Sequence, residues 1–381
     1  MHNIKLIYDN IEEVKVNRRK KYITINIKDE IIDSQTLYYI AARFKHLLKF
    51  KYMKYKINLI FGKVKFADKI TYLILDALLY DMFKRTNFEI GIEMEGSLGE
   101  SIQSLGFTNT ALYRTGILTK GNLNRRVFID EYRKLVVNEN TYRKLLSREE
   151  LDDIMIESII ATDVASSLKV CCDDDEWIDD IAEVSSELVC NVSSHTKGEC
   201  LLDINFSNTI KEIDNDIEKN YILVNISVIN FSENNLYDEI KVNIKENKYN
   251  SDDKLYSKVY DAYETHKRYF DDIYNEDHFF MITAFQNHVT SRRLKSGNNG
   301  TGLTKLIQNI IGKAKDEYSY TMSGENIIFF RNEYLNMSED KFIGFNKEQD
   351  YFKSRPDPNI ISRSTIYIPG TIQNLLLIKE I

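Results

Sequence analysis

The sequence predicts an α/β protein made of two domains. Its 381 residues exceed the usual size of a single domain, and a hydrophobic content of 43% is enough to build a sizeable core. The formal net charge of −7 is unevenly distributed, because residues 1–150 carry 27 basic and 18 acidic side chains whereas the rest carry 24 and 40. Strand-like and helix-like stretches alternate along both halves. We therefore expect a small, basic N-terminal unit of mixed α/β structure followed by a larger, acidic α/β unit.

The first elements have the order β-α-β-α-β. Residues 22–27 alternate apolar and polar positions, which is typical of a half-buried strand. Residues 35–50 carry one apolar stripe at helical spacing. Residues 55–61 predict the second strand, Ala67-Asp68 opens a long apolar helix, and residues 87–92 predict the third strand. This order predicts a small mixed sheet with helices packed on it.

The N-terminal unit resembles STAS-like domains, compact α/β modules that often regulate bacterial signalling proteins. The resemblance rests on the element order and on the segment LIFGKVKFADKITYLILDALL, which is a strand, a loop and a helix. It places a STAS-like module at residues 1–97. Residues 98–150 are rich in Lys and Arg with scattered Gly, Asn and Thr, and we interpret them as a basic connector with some helix. The second domain is expected at residues 151–381.

The second domain is also predicted to mix helices and strands. A helical pattern begins at Glu149, and another helix follows the acidic run 173–176, whose acids we interpret as complementing the helix dipole and not as a metal site. The remaining predicted elements are strands at 201–206, 221–230, 318–322, 327–331 and 365–378, and helices from about Phe279 and Leu303. Pro369-Gly370 is expected to interrupt the last strand.

Composition excludes several classes of protein. The four cysteines (Cys171, Cys172, Cys190 and Cys200) form no CxxC pair, which excludes zinc-finger and thioredoxin-type sites. We interpret them as reduced thiols of a cytoplasmic protein. The first residues lack the pattern of a signal peptide, and no stretch of about 18 uncharged apolar residues occurs, so no membrane partner is expected.

One predicted helix carries candidate catalytic side chains. Glu187, Asn191 and His195 recur every four residues and therefore share one helical face. Three apolar residues form the neighbouring stripe: Val184, Leu188 and Val192. An amide oxygen can ligate a hard cation, and a carboxylate one turn away can polarise a water molecule. The alternative is a polar helix face that binds nothing.

The second candidate segment is the loop SGNNGTG at residues 296–302, which opens directly into a helix. Free backbone N–H groups and the positive end of the helix dipole make such a loop a candidate phosphate cradle. It is not a P-loop, because no Lys-Ser/Thr pair follows its last glycine, and it lacks the preceding strand of a Rossmann fingerprint. The alternative is an ordinary surface loop.

Together the two segments resemble the Bergerat-fold ATPases of the GHKL group, which includes histidine-kinase catalytic domains, type II topoisomerase ATPase domains, Hsp90 and MutL. The family's N box E-L-x-x-N-A is matched by ELVCNV at 187–192, and its last glycine box G-x-G-L by GTGL at 300–303. Gly370-Thr371 stands near the place where the family commonly has Gly-Thr before its last core strand. The resemblance covers about residues 150–381 and implies a two-layer α/β sandwich.

One family box departs from the pattern. Between the other two boxes the family has D-x-G-x-G at a strand end, and its Asp accepts a hydrogen bond from the adenine amino group. The corresponding residues here are NFSENN at 230–235. Asn230 can accept the same bond through its amide oxygen. Neither glycine is present, although Asn234 or Asn235 can adopt a positive φ. Loss of nucleotide binding is therefore the alternative.

The resemblance assigns a role to each matched residue, with ATP and Mg²⁺ as the ligands. Asn191 would hold Mg²⁺, Glu187 would orient or deprotonate the attacking water if hydrolysis occurs, and Asn230 would contact adenine. Three loop residues would wrap the phosphates: Gly300, Thr301 and Gly302. Lys295 could neutralise phosphate charge, or it could be a solvated basic residue at the end of the preceding helix.

The function implied by the resemblance is that of an ATP-binding regulatory protein. Binding of Mg-ATP, with slow hydrolysis as an option, would order residues 237–300 as a lid and change contact with a partner protein or a second copy. The alternatives are a serine protein kinase resembling the anti-sigma-factor kinases, and a non-enzymatic adaptor with a degenerate ATP site. Bacterial stress signalling or phage defence is the setting by analogy.

Two further functions are disfavoured by the sequence. In two-component kinases the phosphoacceptor His is normally followed by Glu or Asp, and none of the six histidines is. Nucleic acid is not the expected partner, because the run RRKK at 18–21 is interpreted as the exposed entrance to a strand.

Overall fold

The structure is a computed structural model that describes residues 2–17, 21–63, 65–95, 110–116, 120–170, 172–195, 198–214, 217–246, 248, 254–286, 289, 302–316 and 318–380. At residues 2, 194, 195, 207–214, 217–219, 302 and 305 the backbone alone is described.

The first sheet has four strands in the order β1-β3-β5-β6. These are β1 (Tyr22–Ile27), β3 (Lys56–Phe61), β5 (Glu89–Met94) and β6 (Lys120–Leu123). The first three are parallel, and β6 runs antiparallel to β5. Two short strands that follow β1 and β3 in the chain, β2 (Ile31–Ile32) and β4 (Lys65–Phe66), form a separate parallel pair. The alternating burial of β1 shows that one face of this strand packs inward and the other is open.

The helices of the N-terminal half begin at side-chain caps. They are α1 (Ser34–Leu48), α2 (Lys69–Arg85), α3 (Ala111–Arg114) and α4 (Arg125–Arg133), preceded in the chain by a 3-10 helix at His2–Asn10. Asp33 accepts hydrogen bonds from the backbone N of Gln35 and of Thr36, and Asp68 accepts one from the N of Thr71. Caps of this kind satisfy N–H groups that have no partner within the helix, so they determine where α1 and α2 start.

The second sheet has six strands, all antiparallel, in the order β11-β12-β10-β9-β8-β7. They are β7 (Val136–Asn138), β8 (Thr141–Leu146), β9 (Cys200–Asp214), β10 (Ile217–Asn230), β11 (Tyr320–Phe329) and β12 (Ile361–Glu380). The two stretches predicted at 318–322 and 327–331 form the one strand β11. The last strand also differs from the prediction, because β12 continues through Pro369-Gly370 and only its pairing with β11 shifts register there.

The described residues after β8 contain seven α-helices: α5 (Arg148–Leu151), α6 (Ile156–Leu168), α7 (Asp175–His195), α8 (Asp238–Lys245), α9 (Lys254–His266), α10 (Glu276–Thr283) and α11 (Gly302–Ile310). The helical pattern predicted from Glu149 is divided between α5 and α6. The residues between them include Ile154, which is 95% exposed.

Two buried hydrophobic clusters lie on the two faces of the six-stranded sheet. One joins that sheet to helices α6, α7, α10 and α11. The other contains α1 and α2 and lies between the six-stranded and the four-stranded sheets. Helix α2 is buried at every position from Lys69 to Phe83, as expected for a helix enclosed by other layers on all sides. The predicted α/β class is confirmed.

The stretch predicted as a connector, residues 98–150, contributes to both sheets in its described parts. Strand β6 and helix α4 belong to the N-terminal layers, whereas β7 and β8 extend the six-stranded sheet through the pairing of β8 with β9. The physical reason is that Val136–Asn138 and Thr141–Leu146 form a short hairpin whose second strand completes the backbone hydrogen bonds of β9.

A buried cluster of four charges joins the N-terminal helices to the six-stranded sheet. Arg143 Nη1 donates to Asp203 Oδ2 at 2.9 Å, and Lys69 Nζ lies 2.7 Å from Asp203 Oδ1. Asp76 accepts hydrogen bonds from the backbone N of Ala111 and of Leu112 at 2.8 and 3.1 Å, and lies 3.8 Å from Arg143 Nη2. Although burial opposes ionisation, the Lys69 and Arg143 cations hold the pKa of Asp203 below its ordinary value. This cluster fixes α2 against β8 and β9.

Candidate functional site

Helix α7 presents Glu187 and Asn191 at the edge of its buried stripe. Asp174 Oδ1 accepts a hydrogen bond from the backbone N of Trp177 at 2.9 Å, so the acidic run does form the helix N-terminus, as predicted. The apolar stripe is buried as expected: Val184, Leu188 and Val192. Glu187 and Asn191 are half-buried, and the Asn191 Nδ2 atom is buried without a hydrogen-bond partner among the described residues.

Helix α11 packs against α7. Lys313, just after α11, pairs with Asp180 in the second turn of α7. Gly302 and Asn191 each lie eleven residues along the chain from this ion pair. In an antiparallel packing about this ion pair, the first residue of α11 would lie level with Asn191. The positive end of the α11 dipole is at this first residue.

Asn230 lies where β10 ends, on the face of the six-stranded sheet that α7 and α11 cover. It is the last residue of β10, and its side chain is fully buried. In register, Asn230 pairs with Cys200 and with Thr371, and Thr371 pairs with Ser323. Val228 packs into the cluster around α7, so Asn230, two residues further along the strand, faces the same helices. Only residues 196–199 separate α7 from Cys200.

Five side chains on this face form what we call the polar patch: Asn230, Thr321, Ser323, Thr371 and Gln373. Three of their buried atoms have no hydrogen-bond partner among the described residues: Asn230 Oδ1, Thr321 Oγ1 and Gln373 Oε1. Asn230 Nδ2, in contrast, donates to the backbone O of Glu199 at 3.1 Å. Buried polar atoms are almost always paired in folded proteins, so a group of unpaired ones facing the same helices indicates a surface that receives a polar ligand or ordered water.

Thr321→Val tests whether an unpaired hydroxyl of the polar patch lowers the free energy of unfolding. Valine has nearly the shape of threonine but no hydroxyl, and the Thr321 hydroxyl forms no hydrogen bond with the described residues. We expect the free energy of unfolding to rise by about 1 kcal/mol, because a buried unpaired hydroxyl is removed. Urea unfolding measures this as a higher midpoint at an unchanged slope.

Thr283→Val is the matched control, because the buried Thr283 hydroxyl bonds Phe279 O at 2.8 Å and Tyr351 Oη at 2.7 Å. This variant should lose about 1 to 2 kcal/mol. Equal losses in both variants would contradict the assignment of Thr321 to an unsatisfied patch.

Gly370 lets the backbone of β12 approach Asn230. Its φ is +94°, and a Cβ atom there would lie 2.3 Å from the Asn230 backbone O and 2.7 Å from the Ser232 N. Asn234 and Asn235, which are able to adopt a positive φ, both have a negative φ in the structure. Gly370 on the neighbouring strand β12 lies beside this segment. The adjacent Pro369 O accepts a hydrogen bond from the Ser232 N.

The segment after Asn230 is held across β11 and β12 by polar contacts. Asn235 Nδ2 donates to Tyr367 Oη at 2.8 Å, and the Leu236 N donates to Ser323 Oγ at 2.9 Å. Tyr237 Oη donates to Asp277 Oδ2 at 3.3 Å. Burial, reinforced by the nearby Asp277 carboxylate, raises the pKa of Tyr237 well above its ordinary value, so the phenol stays a neutral donor. These contacts fix the start of α8 and of α10 beside the polar patch.

Two buried histidines brace α9 and α10. His266 Nδ1 lies 2.7 Å from Tyr274 Oη and its Nε2 lies 2.9 Å from Tyr351 O, while His278 Nε2 lies 3.2 Å from Ser362 O. A neutral ring with the proton on Nε2 satisfies these partners. Burial lowers the pKa of both histidines to about 4 from an ordinary value of 6.5. Both rings are therefore neutral in the folded protein at neutral pH.

These histidines predict a loss of stability in acid. Between pH 6.5 and about pH 4 the unfolded chain binds a proton at each ring that the folded protein does not. Their contribution is complete above pH 6.5 and falls by about 1.4 kcal/mol per pH unit and per histidine as the pH decreases. Urea unfolding at pH 7.5, 6.0 and 5.0 measures the slope. His266→Gln should make it shallower; an unchanged slope would contradict the assignment.

Only part of the remaining predicted site lies within the described residues. Lys295, Gly300 and Thr301 lie outside the described residues, and Gly302 is described by its backbone alone, as the first residue of α11. Next to Asn191 on α7, burial and the carboxylates of Glu157 and Glu187 raise the pKa of the Cys190 thiol to about 12. Cys190 is thus a protonated thiol that packs beside Glu187 and not a reactive thiolate.

Three classes of feature are missing from the part of the chain that the structure describes. It contains no group of three or more His, Cys, Asp or Glu side chains arranged to hold a metal ion. None of its helices is long and apolar enough to cross a membrane. Its three cysteines, Cys172, Cys190 and Cys200, are free.

Comparison with models of known families, with characterised proteins and with solved structures finds no match. The resemblance to GHKL and STAS-like domains thus rests on the sequence motifs and the element order.

Sequence reasoning missed three members of the polar patch, namely Thr321, Ser323 and Gln373. A usable signal was present, because the segments predicted as strands carry polar side chains on alternate positions that face the same side as Thr371. What the sequence could not indicate is that β11 and β12 pair next to β10. Without that pairing, these residues cannot be connected with Asn230.

Proposed function

We propose that the polar patch, α7 and the start of α11 together bind Mg-ATP in the manner of the GHKL group, and that this binding regulates contact with a partner protein. One observation carries the proposal: Asn191 on α7 and Asn230 at the end of β10 belong to the same side of the six-stranded sheet, and α11, which begins at Gly302, packs on α7.

The chemistry of the residues fits this ligand. Asn230 Oδ1 is buried and unpaired among the described residues, so it can accept the hydrogen bond of the adenine amino group. The half-buried Asn191 offers an amide oxygen for Mg²⁺, with its buried Nδ2 still without a described partner. The start of α11 offers the positive end of a helix dipole to the phosphates. Glu187, one turn before Asn191, would orient a water molecule if hydrolysis occurs.

An exposed apolar surface beside the site supports the regulatory part of the proposal. Ile154 is 95% exposed and Met155 is also exposed, in the link between α5 and α6. This link is tied to the end of α7, because Ser193 Oγ donates to Leu151 O at 2.6 Å. A partner protein or a second copy that covers these residues would contact the turn of helix next to Asn191, so nucleotide binding could alter that contact.

Isothermal titration with ATP and Mg²⁺ tests the binding site. We expect the wild type to bind and Asn191→Ala to bind at least tenfold more weakly, since one charge-assisted contact contributes about 1.5 to 3 kcal/mol. The variant should fold normally, because the Asn191 Nδ2 has no described partner to lose. Asn122→Ala, an exposed residue of β6, is the matched control. No binding by the wild type would leave the adaptor alternative.

Phosphate release separates the catalytic alternatives. Glu187→Gln should keep Mg-ATP binding and abolish any turnover, because the amide cannot accept a proton from water. Binding without release by the wild type favours a switch, whereas transfer of labelled phosphate to a co-purified protein favours the serine kinase. Turnover retained in Glu187→Gln would remove Glu187 from its proposed role.

A further inference from the structure

One edge of the four-stranded sheet concentrates positive charge. The parallel strands β1, β3 and β5 all begin there, at Tyr22, Lys56 and Glu89. Six basic side chains collect around these strand starts, and we call them the basic edge: Lys21, Lys51, Lys54, Lys56, Lys84 and Arg125. They come from four separate stretches of the chain, so the concentration of charge is produced by the fold.

Hydrogen bonds show that these stretches form one continuous surface. The backbone N of Lys56 donates to Lys21 O at 2.9 Å. The backbone N of Asn87 donates to Lys51 O at 3.1 Å, and Arg125 Nη1 donates to Asn87 Oδ1 at 3.4 Å. The loop after α1, the loop after α2 and the start of α4 are therefore neighbours along the edge.

The charge of the basic edge is not neutralised within the described residues. None of its six cations forms an ion pair with a described carboxylate. Nearby cations outside this set are paired: Lys49 with Glu13, and Lys120 with Glu93 at 2.8 Å. Glu89, opposite Lys56 in register, is an acidic residue within the edge. The surface therefore carries a net positive charge in a protein whose overall charge is −7.

Two exposed tyrosines stand among these cations. Tyr52 is 82% exposed, and Lys51 Nζ lies 5.1 Å from the centre of its ring. Tyr22 is 47% exposed, and Lys56 Nζ lies 5.9 Å from the centre of its ring. Tyr52 is four residues from Lys56, so the two cation–aromatic pairs lie within about 14 Å of each other along the chain. Aromatic rings of this size are usually buried, and their exposure beside lysines is a feature of surfaces on which bases stack.

We propose that the basic edge binds single-stranded nucleic acid, with phosphates on its lysines and bases stacked on Tyr52 and Tyr22. Paired bases would hide the faces that the tyrosines need, so an unpaired strand fits better than a duplex. An anionic membrane fits less well, because Tyr52 and its exposed neighbour Met53 offer little apolar area for insertion. The proposal does not depend on ATP binding.

Fluorescence anisotropy with a labelled 15-nucleotide oligothymidylate and the full chain, without ATP, tests the proposal at several salt concentrations. The wild type should bind at low salt. Lys51→Glu/Lys54→Glu should weaken binding at least tenfold and reduce the slope of log K against log salt by about one to two, as expected for two lost phosphate contacts. Tyr52→Ala should weaken binding at an unchanged slope, since it removes stacking and no charge.

The matched control is Lys347→Glu/Lys353→Glu, which changes the charge equally on exposed residues of the loop between β11 and β12. It should bind as the wild type does. Three results would overturn the proposal: no binding by the wild type, equal weakening by both double variants, or binding to phosphatidylserine vesicles without binding to the oligonucleotide.

Discussion

Asp203→Ala is expected to destabilise the protein by about 3 to 5 kcal/mol. The carboxylate of Asp203 is buried between Arg143 and Lys69, at 2.9 and 2.7 Å, and all three side chains are almost completely inaccessible to water. Removing it leaves two buried cations with only the more distant Asp76 to balance them, and an uncompensated buried charge carries a large desolvation cost. Urea unfolding measures the loss directly.

The control for this prediction is an exposed ion pair of the same chemistry. Arg126 and Asp130 lie 3.9 Å apart on α4, and their side chains are 92% and 70% exposed. Asp130→Ala should change the free energy of unfolding by less than about 1 kcal/mol, since exposed pairs contribute little. A similar small loss in Asp203→Ala would contradict the conclusion that the four-charge cluster fixes the N-terminal helices against the six-stranded sheet.

Gly370→Ala should have the second largest effect, because it acts on the fold and on the site together. The φ of +94° disfavours any side chain, and the new Cβ would lie 2.3 Å from the Asn230 backbone O. Either β12 moves away from β10 or the end of β10 moves. We expect a loss of about 2 to 4 kcal/mol in stability together with weaker Mg-ATP binding, measured by urea unfolding and by calorimetry.

Gly312→Ala is the matched control, because Gly312 also has a positive φ, of +76°, but no atom lies within 4 Å of a Cβ placed there. It should lose about 1 kcal/mol and keep Mg-ATP binding. If Gly370→Ala behaved in the same way, the close approach of β12 to Asn230 would have no role in the site.

Local patterns in the sequence predicted the elements of the first half well. The alternation of Tyr22–Ile27 reappears as the alternating burial of β1, and Asp68 caps α2 where a helix was expected to open. These features depend on neighbouring residues only, so periodicity and capping chemistry are sufficient to find them. The burial of α2 on every side was not predictable, because it depends on a sheet formed by residues far along the chain.

The same distinction holds for the candidate site. The spacing of Glu187 and Asn191 predicted a shared helical face, and the strand ending at Asn230 was also predicted correctly. The relation between these residues depends on long-range contacts, namely the pairing of Asn230 with Thr371 and the packing of α11 on α7. The close approach of Gly370 on β12 to Asn230 likewise depends on strand pairing, so the sequence did not indicate it.

A crystal structure of the protein with Mg²⁺ and a non-hydrolysable ATP analogue would show whether the polar patch and α7 bind the nucleotide. We predict a nucleotide between α7 and the polar patch, with adenine against Asn230, Mg²⁺ on the Asn191 side-chain oxygen and the phosphates at the start of α11. A nucleotide bound elsewhere, or an Asn230 side chain without contact to the base, would contradict the proposed site.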